Sequence, residues 1–139
     1  MMMPESQFPA EADAYDLEAV LLELAFEFVD FTTSSFETAV QAAAEKVSAS
    51  VLFNVRFDQP RYQRAAAVET NPQGKLYLLL LDRQGRKVDV LGVPEDHRRV
   101  VEEVREWAAR PLAMQASVDS QTQLKLLLYA ACAPLRAAG

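Results

Sequence analysis

Residues 76–81 read LYLLLL, an unbroken run of six apolar side chains. The run is far shorter than the roughly 20 apolar residues that a membrane span requires. A strand that is apolar on both faces is typical of the interior of a sheet, where other elements cover it on both sides. The run therefore predicts a central strand that is covered twice.

The sequence on either side of this run predicts three more strands. Residues 51–57 alternate between apolar and polar side chains, and residues 62–69 return after a turn that contains Pro60. Residues 87–91 follow a short turn in which Gly85 is expected to take a positive φ. Because these connections are too short for the crossovers that parallel strands need, the four strands are expected to form an antiparallel meander.

Two helices are predicted before the meander. The first spans about residues 14–30, and the second spans residues 36–46 behind a capping box formed by Ser34 and Glu37. Apart from Glu18, the acids of the first helix form one narrow stripe, and most of its other side chains are apolar. The members of this stripe are Asp16, Glu23, Glu27 and Asp30. Such a helix must lie centrally in the fold or contribute to a subunit interface.

The chain after the meander predicts a helix, a fifth strand and a last helix. Pro94 favours a helix start and Pro111 ends that helix, while Ser120 and Gln123 form a second capping box. Between them, alternating apolar residues predict the fifth strand: Leu112, Met114, Ala116 and Val118. The pattern as a whole predicts an α+β fold with a predominantly antiparallel sheet of four to five strands, in the order ααββββαβα.

Length and cysteine content limit the organisation of the chain. Its 139 residues fit one domain, expected over residues 14–139 after a loose acidic leader at residues 1–13. A single cysteine, Cys132, excludes an intrachain disulfide. No secretory signal is recognisable at the start of the sequence. A soluble protein of the cytoplasm is expected.

The charges are divided unevenly along the chain. The formal net charge is −6, but residues 1–45 hold ten acids and no base, whereas the remaining residues hold 14 bases and ten acids. Such asymmetry is typical of an acidic arm that binds a basic partner, or of a basic body that binds an anion. The distribution along predicted elements favours a separation between structural layers instead. Whether the acidic stripe faces water or the arginines of the sheet is left open.

The residues needed for common catalytic and metal chemistry are scarce. The chain has one histidine, His97, and one cysteine, too few for a structural zinc site and without a partner for a nucleophilic pair. Its four glycines form no phosphate-binding loop. No catalytic residue, metal ligand or cofactor is therefore predicted, and the sequence leans away from an enzyme.

The remaining cluster is basic and aromatic. Arg56, Arg61, Tyr62 and Arg64 lie on the first hairpin, and together with Trp107 they are the candidate residues for binding a ligand or partner.

Three functions fit these patterns. The first is a non-enzymatic interaction protein, a homodimer that pairs through its first and last helices. The second is a small-ligand or sensor domain with a pocket between sheet and helices, in which Arg56 or Arg64 meets an anionic group. The aromatic residues expected to line that pocket are Phe26, Phe53, Tyr62, Tyr77 and Trp107. The third function is binding of single-stranded nucleic acid, gated by the acidic N-terminal segment. It is the weaker hypothesis because the overall negative charge disfavours nucleic acid.

Overall fold

The protein folds as a four-stranded sheet with helices on both faces. A computed structural model describes residues 17–31, 35–57, 59–71 and 73–131. Two helices precede the sheet, α1 (Leu17–Glu27) and α2 (Phe36–Lys46). The strands are β1 (Ala49–Arg56), β2 (Tyr62–Thr70), β3 (Leu76–Asp82) and β4 (Val88–Val93). A 3₁₀ turn (Glu95–His97) follows, and then α3 (Arg98–Ala108), α4 (Leu112–Gln115) and α5 (Val118–Ala131).

The sheet is the predicted antiparallel meander. Its strands lie in the order β1-β2-β3-β4, and each pair of neighbours is antiparallel. Gly85 has a φ of +71° in the β3–β4 turn, as expected from its position. A bulge between Val51 and Phe53 interrupts the register of β1 with β2. Since β1 is at the edge of the sheet, this bulge also makes the edge less regular.

The central strand separates two hydrophobic cores. Leu78 and Leu80 of β3 pack on one face with α3 and α5, whereas Tyr77 and Leu79 pack on the other face with α1 and α2. All four side chains are buried. The prediction that residues 76–81 form an inner strand covered twice is therefore confirmed.

The segment predicted as a fifth strand forms helices instead. Residues 112–115 make up the short helix α4, and Val118 is the first residue of α5. The alternation of Leu112, Met114 and Val118 does not correspond to a buried face, because all three side chains are exposed. The fixed φ of Pro111 suits the start of a helix, and α4 contains residues of high helix propensity. Because the apolar side chains of this segment are exposed, packing does not oppose that preference.

The side-chain caps of α2 and α5 are serines other than those of the two predicted capping boxes. The side chain of Ser35 accepts a hydrogen bond from the Thr38 amide at 3.0 Å, so Ser35 caps α2. At α5, the Ser117 hydroxyl accepts from the Ser120 amide at 3.1 Å. Ser120 itself is therefore inside the helix.

Several expectations fall on residues outside the described part of the chain. These are the leader at residues 1–13, the acid Asp16, the cap Ser34 and the lone Cys132. Within the described ranges, no helix is both long and apolar enough to cross a membrane.

Candidate functional site

Helix α1 exposes an apolar stripe on the side that faces away from the core. Its inner side buries Leu22 and Phe26, while the outer side carries large apolar residues spaced three and four apart. We call this surface the α1 stripe; its members are Leu17, Val20, Leu21, Leu24 and Phe28. Leu24 is 54% exposed and Phe28, just beyond the helix end, is 90% exposed. A contiguous exposed apolar surface of this kind is a candidate site of interaction.

Acidic side chains run beside the α1 stripe. Glu23, Glu27 and Asp30 are all exposed, so the described part of the acidic stripe faces water. Glu23 and Glu27 border a shallow depression of about 330 Å³ that also touches Arg86 and Lys87. None of the ion pairs found among the described residues joins one of these acids to an arginine of the first hairpin.

The last helices also expose apolar residues, but on the other side of the sheet. These residues are Leu112, Met114, Val118 and Leu126. Helix α5 packs on the core that contains Leu78, whereas α1 packs on the core that contains Leu79. The apolar surfaces of the first and last helices are therefore separate surfaces.

Arg56 and Arg64 lie side by side across β1 and β2. They are direct partners in the strand register, so both side chains start from the same face of the sheet. Arg64 places its guanidinium 5.5 Å from the centre of the Phe36 ring and donates to Asn54 Oδ1 at 2.7 Å. Burial, and then the charge of Arg56, lower the pKa of Arg64, while Glu37 partly offsets both effects.

Two donors in this cluster lack an acceptor. Arg64 Nε and Asn54 Nδ2 are buried and make no hydrogen bond in the structure. Sequence reasoning found the two arginines from their spacing on the hairpin, but it missed Asn54. The signal for Asn54 was its position two residues before Arg56 on one strand, which places both on one face.

The other sequence candidates have structural roles and do not join the arginine pair. Arg61 lies over the ring of Tyr62 at 5.4 Å, and the Tyr62 hydroxyl donates to Asp89 Oδ2 at 2.6 Å. Trp107 is buried in the core between the sheet and α3, and its Nε1 donates to the carbonyl of Ser120 at 2.9 Å. These contacts link neighbouring elements.

The aromatic residues expected to line one pocket are divided between the two cores. Phe53, Tyr62 and Trp107 belong to one face of the sheet, and Phe26 and Tyr77 to the other. A single pocket lined by all five is therefore not formed.

A surface depression of about 440 Å³ lies beside Arg56. Its other described lining residues are Phe57, Gln63, Arg83 and Gln121, so it has two cations and no described acid. The remaining depressions described here all include at least one carboxylate in their linings. The depression beside Arg56 therefore has the most positive lining of the depressions described here.

Nothing in the described ranges assembles a metal site, since no group of three or more His, Cys, Asp or Glu side chains is found there. His97 Nδ1 lies 3.3 Å from the carbonyl of Ala131, which ties the 3₁₀ turn to the end of α5. Because a carbonyl oxygen only accepts, Nδ1 carries the proton in that contact.

Comparison with known proteins gives no family for this chain. No family model matches it, and no curated protein or solved structure matches it significantly. The α1 stripe is therefore the feature from which a function is proposed.

Proposed function

We propose that this protein is a non-enzymatic interaction protein that forms a homodimer through the α1 stripe. The observation that supports it is the row of exposed leucines ending in Phe28, on the outer side of a helix whose inner side is already packed. The single cysteine fits a reducing compartment, which supports the cytoplasm as the place of action.

The size of the stripe suits a second copy of the chain. With exposed aromatic and aliphatic side chains offering roughly 100–200 Å² each, the stripe presents on the order of 500 Å². Two copies would bury on the order of 1,000 Å², which is the lower bound for a specific interface. One helix surface paired about a two-fold axis is self-complementary, since each residue meets its counterpart's neighbours.

The α1 stripe is a better candidate than the last helices. Its members lie on one face of a single helix, so they can be covered together. By contrast, Val118 and Leu126 are the exposed large apolar residues of α5 and lie eight residues apart with none between them, and Leu112 belongs to another helix. Scattered exposed residues of this kind are normal on a monomer surface and need no partner.

The test is the molar mass in solution, measured by light scattering coupled to size exclusion at micromolar concentration. The native chain is expected to run near twice 15.5 kDa. Leu24→Glu, which places a charge in the centre of the stripe, is expected to give the monomer mass. The matched control is Leu126→Glu, at a residue 64% exposed on the opposite side of the sheet, and it is expected to remain dimeric.

A mass near 15.5 kDa for the native chain at every concentration would contradict the proposal. If Leu126→Glu also gave the monomer, the interface would include the last helix, as the sequence suggested. Circular dichroism of both variants checks that each remains folded.

A further inference from the structure

Strand β1 has one side that no other strand of the described chain covers. The sheet order places it beside β2 alone, and within the described residues no backbone hydrogen bond joins Ala49–Arg56 to anything except β2. Residues 49–55 carry no charged side chain. At the opposite edge, Asp89 of β4 pairs with Lys87 at 3.7 Å. Because charged side chains protect a sheet edge from pairing, β1 is the more open of the two edges.

The hydrogen bonds to β2 show which backbone groups of β1 point to the open side. Just after the strand, the Phe57 amide donates to the carbonyl of Gln63 at 3.1 Å, and this pair continues the register of β1 with β2. Hydrogen-bonded and non-hydrogen-bonded pairs alternate along an antiparallel ladder. Val55, two residues before Phe57, is therefore bonded to β2. The amides and carbonyls of Asn54 and Arg56 point away from β2, towards the open edge.

A surface depression of about 380 Å³ lies along this edge. Its lining residues are Glu37 and Gln41 of α2, residues 51–54 of β1, and Arg105, Ala108 and Ala109 of α3. Because α2 and α3 pack on opposite faces of the sheet, a depression that touches both helices opens at the edge of the sheet. The bulge of β1 lies within it, and the register is regular again from Phe53 to Arg56.

The two sides of this depression carry opposite charges. Glu37 is on the α2 side and Arg105 on the α3 side, and both side chains are exposed. Arg56 and Arg64 do not line the depression. Arg105 also lies 3.6 Å from Glu102, but an exposed ion pair of this kind contributes little to stability. Both charges are therefore accessible to a partner.

We propose that β1 binds an extended segment of another polypeptide, which joins the sheet as an antiparallel fifth strand and passes through the depression between α2 and α3. Its backbone pairs with the free groups of Asn54 and Arg56, and main-chain pairing of this kind supplies affinity. Consecutive side chains of a strand point to opposite faces of the sheet. A basic side chain of the segment therefore meets Glu37, and an acidic neighbour meets Arg105.

A second copy of β1 is a poorer occupant of this edge, since residues 49–55 offer neither of the two charges. The proposed site also goes beyond the homodimer, because it uses none of the residues of the α1 stripe. The two proposals can therefore be tested separately.

The direct test is amide hydrogen exchange of the full native chain, followed by NMR, with and without the peptide acetyl-TVTKETVT-amide. The adjacent Lys and Glu of this probe supply the two charges. At a peptide concentration of about ten times the dissociation constant, the amides of Asn54 and Arg56 are expected to exchange roughly tenfold more slowly. The control is the Val90 amide, which points outward at the β4 edge by the same alternation and is expected to be unaffected.

Two N-methylated forms of the peptide separate strand pairing from attraction between charges. The Lys side chain is expected on the same face as Asn54, so the amide of that Lys faces β1. Methyl groups on this amide and on the amides two residues before and after it are expected to abolish binding. The same number of methyl groups on the intervening amides, which face away from β1, is expected to leave the dissociation constant nearly unchanged.

A charge exchange tests the direction of the side chains. Arg105→Glu is expected to weaken binding by roughly three- to fivefold, which is the effect of an exposed ion pair. The peptide in which Lys replaces the Glu is expected to restore the affinity of this variant. The matched control is Arg99→Glu, at an exposed arginine of the same helix, which is expected to bind like the native chain.

The inference is wrong if Asn54 and Arg56 exchange equally fast with and without the peptide, up to about 1 mM peptide. It is also wrong if both N-methylated peptides bind alike. Protection of these amides that grows with protein concentration in the absence of peptide would mean that a second copy occupies the edge instead. A thermal melt of Arg105→Glu verifies that the variant is folded.

Discussion

Single serine side chains decide where two helices of this protein begin. The sequence contains adjacent serines before α2, and two serines three residues apart, Ser117 and Ser120, on either side of the start of α5. A capping pattern alone cannot choose between them, because the choice depends on which hydroxyl reaches a free amide. In the structure the hydroxyls of Ser35 and Ser117 do so, at 3.0 and 3.1 Å. The sequence pattern found the right kind of signal and the wrong residue.

The start of α5 offers a direct test of this difference. Ser117→Ala removes the acceptor of the Ser120 amide, so the free energy of unfolding is expected to fall by about 1 kcal/mol. Ser120→Ala leaves that acceptor in place and is expected to change it by less than about 0.5 kcal/mol. Urea denaturation of both variants measures the difference. A larger loss for Ser120→Ala would restore the cap predicted from the sequence.

At the scale of the elements, the sequence was informative wherever periodicity and burial agree. Residues 76–81 required two covered faces, and the two-residue period of β1 required one. The period of two in residues 112–118 misled because those side chains are exposed, so no core selects between strand and helix.

The candidate site was predictable only in part, for a related reason. The sequence placed Arg56 and Arg64 on one hairpin. That the two residues lie directly opposite each other depends on the strand register, which a bulge shifts. The exclusion of Trp107 from the site depends on the packing of α3 against the other face, which no local pattern contains.

The link between α3 and the β2–β3 turn depends on one arginine. Arg98 donates to Glu69 at 2.6 Å, to Glu95 at 3.1 Å and to the carbonyl of Gly74. The hydrogen bond to Glu69 is the main reason why the pKa of Arg98 is raised. Losing these contacts in Arg98→Ala is expected to lower the free energy of unfolding by about 1–2 kcal/mol.

The neighbouring Arg99 serves as the control for this prediction. It is exposed on the same helical turn, so Arg99→Ala is expected to change the free energy of unfolding by less than about 0.5 kcal/mol. Both variants are measured by urea denaturation in the same buffer. Equal effects would mean that the contacts of Arg98 add nothing to stability beyond an ordinary surface charge.

At the scale of the whole molecule, the uneven charge of the sequence becomes a difference between layers. The acids of α1 lie over one face of the sheet, and Glu18 reaches Lys75 at 3.5 Å. Glu23 and Glu27 remain exposed beside the α1 stripe. The surface proposed to pair with itself is therefore apolar in its centre and negative along one border. As a result, added salt should strengthen self-association but weaken binding to a basic protein.

If two copies pair through α1, their acidic borders raise the local density of negative charge, and salt screens the repulsion with a Debye length of about 8 Å at 0.15 M. The dissociation constant of the dimer, measured by analytical ultracentrifugation, is therefore expected to fall as NaCl rises from about 0.05 to 0.5 M. The double variant Glu23→Gln, Glu27→Gln removes two of the three exposed charges next to the stripe, so its dimer should be tighter at low salt and respond less to NaCl. This variant separates screening from a general effect of salt on apolar surfaces, because the apolar residues are unchanged. A dimer that dissociates as salt rises would instead mean that the contact is held by opposite charges, and that basic residues of the second copy, rather than its α1, lie against the stripe.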